Sequence, residues 1–141
     1  EGRPEGGNNR GSGKSPSEPI TILVVDDEPF ILEVIRDILK RLGYEVLTAG
    51  SGQEAAQLYG RENGRIDLVI LDMVMPDIGG AATYDLLRAI QPDVRVILSS
   101  GYSMTGEIQQ LLERGCRDFL PKPFRMADIA TKVRTVLAQE D

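Results

Sequence analysis

The sequence predicts an α/β fold in which five strands alternate with five helices, a (βα)5 doubly wound sheet of parallel strands. Short runs of aliphatic, often β-branched residues recur along the chain, and such runs are typical of strands buried on both faces. The segments between them carry apolar residues at helical spacing. This alternation favours a parallel sheet with helices on both faces, joined by right-handed crossovers.

The strands are predicted from apolar runs at about 20–25, 44–49, 66–71, 94–98 and 118–120. Polar side chains follow four of these runs, namely Asp26, Asp27, Asp72, Ser100 and Lys122. If the strands are parallel, these endings meet at the carboxyl edge of the sheet, where open α/β folds bind ligands. The sequence therefore predicts one site built from these five residues.

The helices are predicted at about 29–42, 51–62, 81–90, 105–114 and 126–138. Pro29 suits the first turn of helix one, and Gly43 suits its end. The apolar stripe of this helix begins at Phe30 and is expected to face the core. Ser51 and Glu54 match a capping box that opens helix two.

Length and composition indicate one domain, at residues 20–141. Residues 1–19 are rich in Gly, Ser, Pro and Asn and contain no aliphatic side chain beyond Pro, so they are expected to form a disordered tail or linker. The chain begins at Glu1 rather than Met, which suggests a piece of a longer protein.

The net charge of −6 argues against nucleic acid or an anionic membrane surface as the partner of this segment. No apolar run approaches the ~18 residues that a membrane span needs, and no signal peptide is visible. The single cysteine, Cys116, excludes an internal disulfide and fits a reducing cytoplasm, where it is expected to be a buried small hydrophobe.

The chain has no histidine, which removes Ser–His and Cys–His chemistry and imidazole-ligated zinc. A metal here must be held mainly by oxygen, which suits Mg²⁺, Ca²⁺ or Mn²⁺. Two carboxylates ~4 Å apart repel by about 4 kcal/mol at an effective dielectric constant of ~20, and a divalent cation offsets that repulsion. With Lys122 and Ser100 as partners for anionic oxygens, the set suits a carboxylate that accepts a phosphoryl group.

Four motifs resemble the receiver domain of two-component response regulators over about residues 20–138. They are Val24-Val25-Asp26-Asp27-Glu28, Leu71-Asp72-Met73-Val74-Met75-Pro76, Leu98-Ser99-Ser100-Gly101 and Lys122-Pro123-Phe124. Each motif is weak alone, but all four in this order are specific. The resemblance implies a flavodoxin-like sheet with strand order 2-1-3-4-5 and a cis Lys122–Pro123 bond.

The resemblance also implies the roles of the site residues. Asp72 would be the phosphoacceptor, and Mg²⁺ would be held by Asp26, Asp27, Asp72 and the backbone carbonyl of Val74. Lys122 would bind the phosphoryl group, Ser100 would be the switch hydroxyl, and Phe119 the aromatic switch residue. The implied partner is a histidine kinase or histidine phosphotransfer domain, because this chain has no histidine of its own. Val74 and Tyr102 would flank the path of the hydrolytic water and lengthen the phosphoryl lifetime.

Some positions depart from the family pattern. Gly79 stands where Asp is common, Ser100 replaces the more usual Thr, and Pro121 beside Lys122 is unusual. Ser99 competes with Ser100 for the switch role, although the spacing to Lys122 favours Ser100. Taken singly, the Asp26–Asp27 pair also suits a helix N-terminus, and Phe119 also suits the core.

Other functions compete with a phosphorylation switch that catalyses only its own phosphorylation and dephosphorylation. A degenerate receiver that acts as a binding module is disfavoured by the intact Asp27, Asp72 and Lys122. A flavodoxin-like cofactor domain conflicts with the acidic loop after strand one. A haloacid-dehalogenase-type phosphatase would have Asp-x-Asp after the nucleophilic strand, and this sequence has Val74 in place of the second aspartate. The linker-like start and the Leu-Ser-Ser-Gly-Tyr run resemble receivers at the C-terminus of hybrid sensor kinases, with a stand-alone receiver as the alternative.

Overall fold

A computed structural model describes residues 18–101 and 105–139. The strands are β1 (Thr21–Val25), β2 (Glu45–Ala49), β3 (Leu68–Asp72), β4 (Val96–Ser100) and β5 (Asp118–Pro121). The helices are α1 (Pro29–Arg41), α2 (Gly52–Glu62), α3 (Gly79–Ile90), α4 (Gly106–Arg114) and α5 (Met126–Ala138). The strands are all parallel in the order β2-β1-β3-β4-β5, so the predicted fold class and strand order are confirmed.

The core lies in two layers, one on each face of the sheet. On one face Leu71 and Leu98 join the apolar residues of α2, α3 and α4, and the buried Cys116 lies there too. On the other face Ile70 and Ile97 pack with α1 and α5. Successive residues of a strand point to opposite faces, so this division fixes the face of every later residue in β3 and β4.

Three strands extend further toward the site than their apolar runs predicted. β3 includes Asp72, β4 begins two residues late and includes both Ser99 and Ser100, and β5 includes Pro121. The reason is pairing, because Asp72 is the register partner of Ser99, and Ser100 is the partner of Pro121. The parallel ladder therefore carries polar residues into regular strand, and their side chains take up defined faces.

Helix α1 buries a narrower face than its apolar stripe predicted. Ile35 and Leu39 are buried, whereas 73% of the Phe30 surface is exposed. Phe30 precedes Ile35 by five residues, which places it about 140° around the helix from the buried face. The expectation that Phe30 faces the core is therefore wrong.

The capping box of α2 forms in part. The Ser51 hydroxyl accepts from the Glu54 N–H at 3.1 Å, but the Glu54 carboxylate accepts from the Gly50 N–H rather than that of Ser51. Asp77, in the loop after β3, completes the helix start by accepting from the N–H groups of Gly52 and Gln53 at 3.2 and 3.0 Å. The loop that follows Asp72 is thereby tied to α2.

Within the described ranges, no helix has both the length and the apolar character needed to cross a bilayer. The predicted tail lies outside the described residues, apart from its last two positions.

Candidate functional site

The carboxyl edge of the sheet brings three predicted site residues together. Asp72 ends β3, Asp26 follows β1, and Asp27 comes next in the chain. Carboxylate oxygens from these three residues lie within 4.8 Å of one another. Asp26 and Asp72 are buried, whereas Asp27 is exposed, so the cluster opens to solvent on one side. Hard oxygen donors at this spacing suit a divalent cation such as Mg²⁺.

Lys122 enters this cluster from the end of β5. Its ammonium donates to Asp26 Oδ2 at 2.8 Å and to Asp72 Oδ1 at 3.4 Å. Its backbone N–H donates to the Ser100 carbonyl, and the Lys122–Pro123 bond is cis as predicted. Burial acts to lower the pKa of Lys122, but the hydrogen bond to Asp26 and the charges of both aspartates outweigh it and raise the pKa. Lys122 is therefore firmly cationic.

The charged form of the Asp72 side chain is disfavoured in this site. Burial and then repulsion from Asp26 raise its pKa to about 6, although Lys122 and the Val74 N–H partly offset both. A cation at the cluster would relieve the same repulsion. The donor set and this electrostatic imbalance both fit a bound divalent cation.

Asp26 divides its two oxygens between two partners. Oδ1 accepts from the Glu28 N–H at 2.9 Å, just before α1, and Oδ2 accepts from Lys122. The backbone contact fixes the carboxylate at the end of β1. Asp26 therefore holds the lysine with the oxygen that faces the rest of the cluster.

The two serines at the end of β4 point to opposite faces. Ser100 follows the face of Leu98, which is also the face of Phe119, whereas Ser99 shares the face of its register partner Asp72. Both serines are 2% exposed. The structure therefore brings the two predicted switch residues, Ser100 and Phe119, to one face of the sheet.

Phe119 lies inside the core, with 9% of its surface exposed. The sequence allowed a core position as well as a switch role, and the structure shows the core position. The ring therefore lies inward, and the switch role of Phe119 stays a prediction.

The residues predicted to govern lifetime are only partly described. The Val74 N–H contacts Asp72, and 58% of the Val74 surface is exposed. The role of its carbonyl as a metal ligand stays a prediction. Tyr102 lies outside the described residues.

An apolar groove, which the sequence patterns did not predict, adjoins the site. Its volume is about 390 Å³, and its lining includes Phe30, Val34, Gly101, Lys122, Pro123 and Phe124. Phe30 is exposed there, and Lys122 belongs to both the groove and the site. No sequence pattern singled out this groove, because Phe30 belongs to the apolar stripe of α1 and only the structure shows that it lies off the buried face.

The doubly wound sheet, the acidic cluster at its carboxyl edge and the lysine beside that cluster together are the features of a receiver domain. Residues 22–134 match the family model described as the response regulator receiver domain. The chain therefore belongs to the response regulator receiver family.

Curated relatives and solved structures agree with this assignment. The chain is 35% identical over 121 residues to the sensor kinase CckA of Brucella abortus, covering 86% of this chain and 13% of that protein. It is 32% identical to the probable transcriptional regulatory protein TcrX of Mycobacterium tuberculosis, covering 88% and 52% of the two chains. The chain thus spans at most about half of these relatives.

Among solved structures, the response regulator TrrA of Thermotoga maritima, in complex with Mg²⁺ and BeF, is similar with a TM-score of 0.73. The identity is 35%, over 83% of this chain and 98% of that one.

Proposed function

We propose that this domain is a phosphorylation-controlled signalling switch in which Asp72 accepts a phosphoryl group from a phosphohistidine partner. The observation that carries the proposal is the meeting of a buried Asp72 with Asp26, Asp27 and Lys122 at one sheet edge. A degenerate binding module has no need of an acceptor with an adjacent ammonium. Intact charge at all four positions supports transfer.

The reaction that this geometry supports is an in-line displacement. A carboxylate oxygen of Asp72 attacks phosphorus, the bond from phosphorus to the partner's imidazole nitrogen breaks, and its electron pair returns to that nitrogen. Lys122 neutralises charge on the phosphoryl oxygens, and Ser100 donates its hydroxyl to another of them. Phosphoryl transfer depends mainly on such positioning and charge stabilisation.

Asp26, Asp27, Asp72 and the Val74 carbonyl would hold Mg²⁺, which when bound supplies positive charge to the phosphoryl oxygens and to the crowded carboxylates. The similarity to TrrA, which was solved in complex with Mg²⁺ and BeF, supports the choice of this ion. The oxygen-only donor set supports it independently.

The groove beside the site is the proposed binding surface for the histidine-bearing partner, which is a histidine kinase or a histidine phosphotransfer domain. Phe30 and Phe124 offer apolar surface next to Lys122. A helix that presents its histidine toward Asp72 could bury an apolar face there, as amphipathic helices do in grooves. The groove would then align donor and acceptor.

Mass spectrometry tests the acceptor. Wild type, Asp72→Asn and the surface variant Asp37→Asn are incubated with acetyl phosphate and Mg²⁺. We expect one added phosphoryl group in wild type and Asp37→Asn and none in Asp72→Asn. Equal labelling of all three proteins would show that Asp72 is not the phosphoacceptor.

A further inference from the structure

The hydroxyl of Ser99 is a buried polar group that takes no part in the contacts described so far. Only 2% of the residue is exposed, and its Oγ makes no hydrogen bond to any part of the chain that the structure describes. Buried hydroxyls almost always have a partner in folded proteins, so an exception calls for an explanation. Alanine would fill this position without that defect.

Ser99 occupies a particular place in the sheet. Its register partners are Asp72 on β3 and Leu120 on β5, and all three lie on the face of α1 and α5. Lys122 follows Leu120 by two residues, and its N–H still pairs with β4. Strand alternation therefore gives Lys122 the same face as Ser99.

The lysine side chain crosses β4 on this face. β3 and β5 are two strand spacings apart, about 9.6 Å, yet the Lys122 ammonium reaches to 3.4 Å from Asp72. Its aliphatic stem must therefore pass over the end of β4, where Ser99 lies. An ammonium has three N–H donors, and two are directed at Asp26 and Asp72.

The contact between Lys122 and Asp26 conflicts with metal binding. Oδ2 of Asp26 accepts the lysine at 2.8 Å, while Oδ1 is held by the Glu28 N–H. If Asp26 coordinated a cation, repulsion between the two positive charges would drive the ammonium away from this oxygen. The ammonium then needs another acceptor along its own path over β4.

We propose that Ser99 is a positioning residue whose hydroxyl oxygen accepts a hydrogen bond from Lys122 once Asp26 coordinates the cation. The unpaired hydroxyl of the resting arrangement is the acceptor that the displaced ammonium needs. Ser99 thereby lowers the cost of metal binding and fixes Lys122 over Asp72. The inference rests on the proposed function, because it takes the acidic cluster as the Mg²⁺ site.

The test is the dissociation constant for Mg²⁺, measured by calorimetric titration of wild type, Ser99→Ala and Thr21→Val. The last variant removes a hydroxyl from the opposite end of the sheet. We expect Ser99→Ala to bind Mg²⁺ about tenfold more weakly, the size of one hydrogen bond to a charged group. Thr21→Val should match wild type, and without Mg²⁺ Ser99→Ala should melt no earlier than wild type. A change below twofold in Ser99→Ala overturns the proposal.

A double-mutant cycle shows whether Ser99 acts through the lysine. In a Lys122→Met background, Ser99→Ala should change Mg²⁺ affinity less than twofold, because no ammonium remains to be positioned. A tenfold loss that persists there overturns the proposal. If wild-type Asp72 is phosphorylated but Ser99→Ala has the Mg²⁺ affinity of wild type, this inference alone is rejected. If the wild type neither binds Mg²⁺ nor accepts a phosphoryl group, the proposed function is rejected as well.

Discussion

The Lys122 ammonium lies 2.8 Å from a carboxylate oxygen of Asp26, although 96 positions separate the two residues in the chain. It is closer to Asp26 than to Asp72, the proposed acceptor. In this arrangement the lysine joins the ends of β1 and β5 and compensates only part of the negative charge. Burial and the negative charge of Asp26 therefore disfavour the charged form of Asp72.

Replacing Asp72 with Asn should stabilise the metal-free domain at neutral pH. Burial and Asp26 raise the pKa of Asp72 from 3.8 to about 6. A raised pKa gives stability that is fully present below about pH 4 and is lost as the pH rises through about 6. We expect Asp72→Asn to raise the free energy of unfolding by about 1–3 kcal/mol at pH 7.5.

Urea denaturation in EDTA measures this effect, with Asp37→Asn as the surface control. The gain from Asp72→Asn should shrink toward zero near pH 4, where the wild-type carboxyl is neutral in the fold. A gain that is independent of pH would contradict the electrostatic explanation.

Ser100→Ala should weaken the response of the α4, β5 and α5 face to phosphorylation. A hydrogen bond to a charged group contributes roughly 1.5–3 kcal/mol, whereas inverting a 1:99 equilibrium needs about 5.5 kcal/mol. Ser100 alone therefore cannot supply the free energy for the conformational change, and Lys122 must contribute as well. Loss of the Ser100 hydroxyl should reduce the conformational change without abolishing it.

The measurement is the amide NMR shift of β5 and α4 with Mg²⁺ and beryllofluoride, in wild type and Ser100→Ala. The ring of Phe119 is already inside, so its own signal is expected to change less than those of the surrounding backbone. An undiminished shift in the variant would show that Ser100 does not couple the site to this face.

Val74→Asn should shorten the phosphoryl lifetime. Val74 is 58% exposed beside Asp72 and cannot orient a water, whereas an amide can hold one in line with the phosphoryl bond. Lowering the barrier by 1.36 kcal/mol gives about a tenfold faster loss. The half-life of the phosphoryl group, at fixed Mg²⁺ and pH, is compared with that of Val74→Leu, which should resemble wild type. Equal half-lives in all three proteins would show that Val74 does not control the attacking water.

The same comparison applies to Tyr102. A phosphoryl half-life in Tyr102→Glu that equals that of wild type would show that Tyr102 does not control this water either.

Gly52→Ala should destabilise the domain where α2 meets α3. A Cβ at Gly52 would lie 2.0 Å from Thr83 Oγ1 and 2.7 Å from the Ile78 side chain. Overpacking of this kind typically costs about 1–3 kcal/mol. Gly106→Ala is the matched control, since a Cβ there meets no heavy atom of the described residues within 4 Å. Equal unfolding midpoints for the two variants would show that the α2–α3 contact can open freely.

Much of the fold was readable from local patterns. The bounds of α5 match their prediction, because Met126 to Ala138 carries one uninterrupted apolar stripe. The ends of β3 and β4 were misplaced, because hydrogen bonds from neighbouring strands decided them. The strand order came from the family resemblance, since apolar periodicity does not say which strands are neighbours.

The site was predicted as a set of residues but not as an arrangement. Parallel strands bring Asp26, Asp72 and Lys122 to one edge, and this follows from sequence order. The preference of Lys122 for Asp26 does not follow, because it depends on the side-chain conformation of the lysine. The missing partner of Ser99 likewise depends on which face its strand register selects.

The link from Asp77 to the first turn of α2 sets a rule for building chimaeras of this domain. Residues 52 and 53 are held by a carboxylate that comes after β3, five positions beyond Asp72. If α2 is replaced by the helix of a relative, the hydrogen bonds between residue 77 and the first turn of that helix are therefore kept only when residue 77 is exchanged with it. The natural unit of exchange runs from α2 through the loop after β3. A junction placed between these two elements would disturb the loop that follows Asp72 at the carboxyl edge of the sheet.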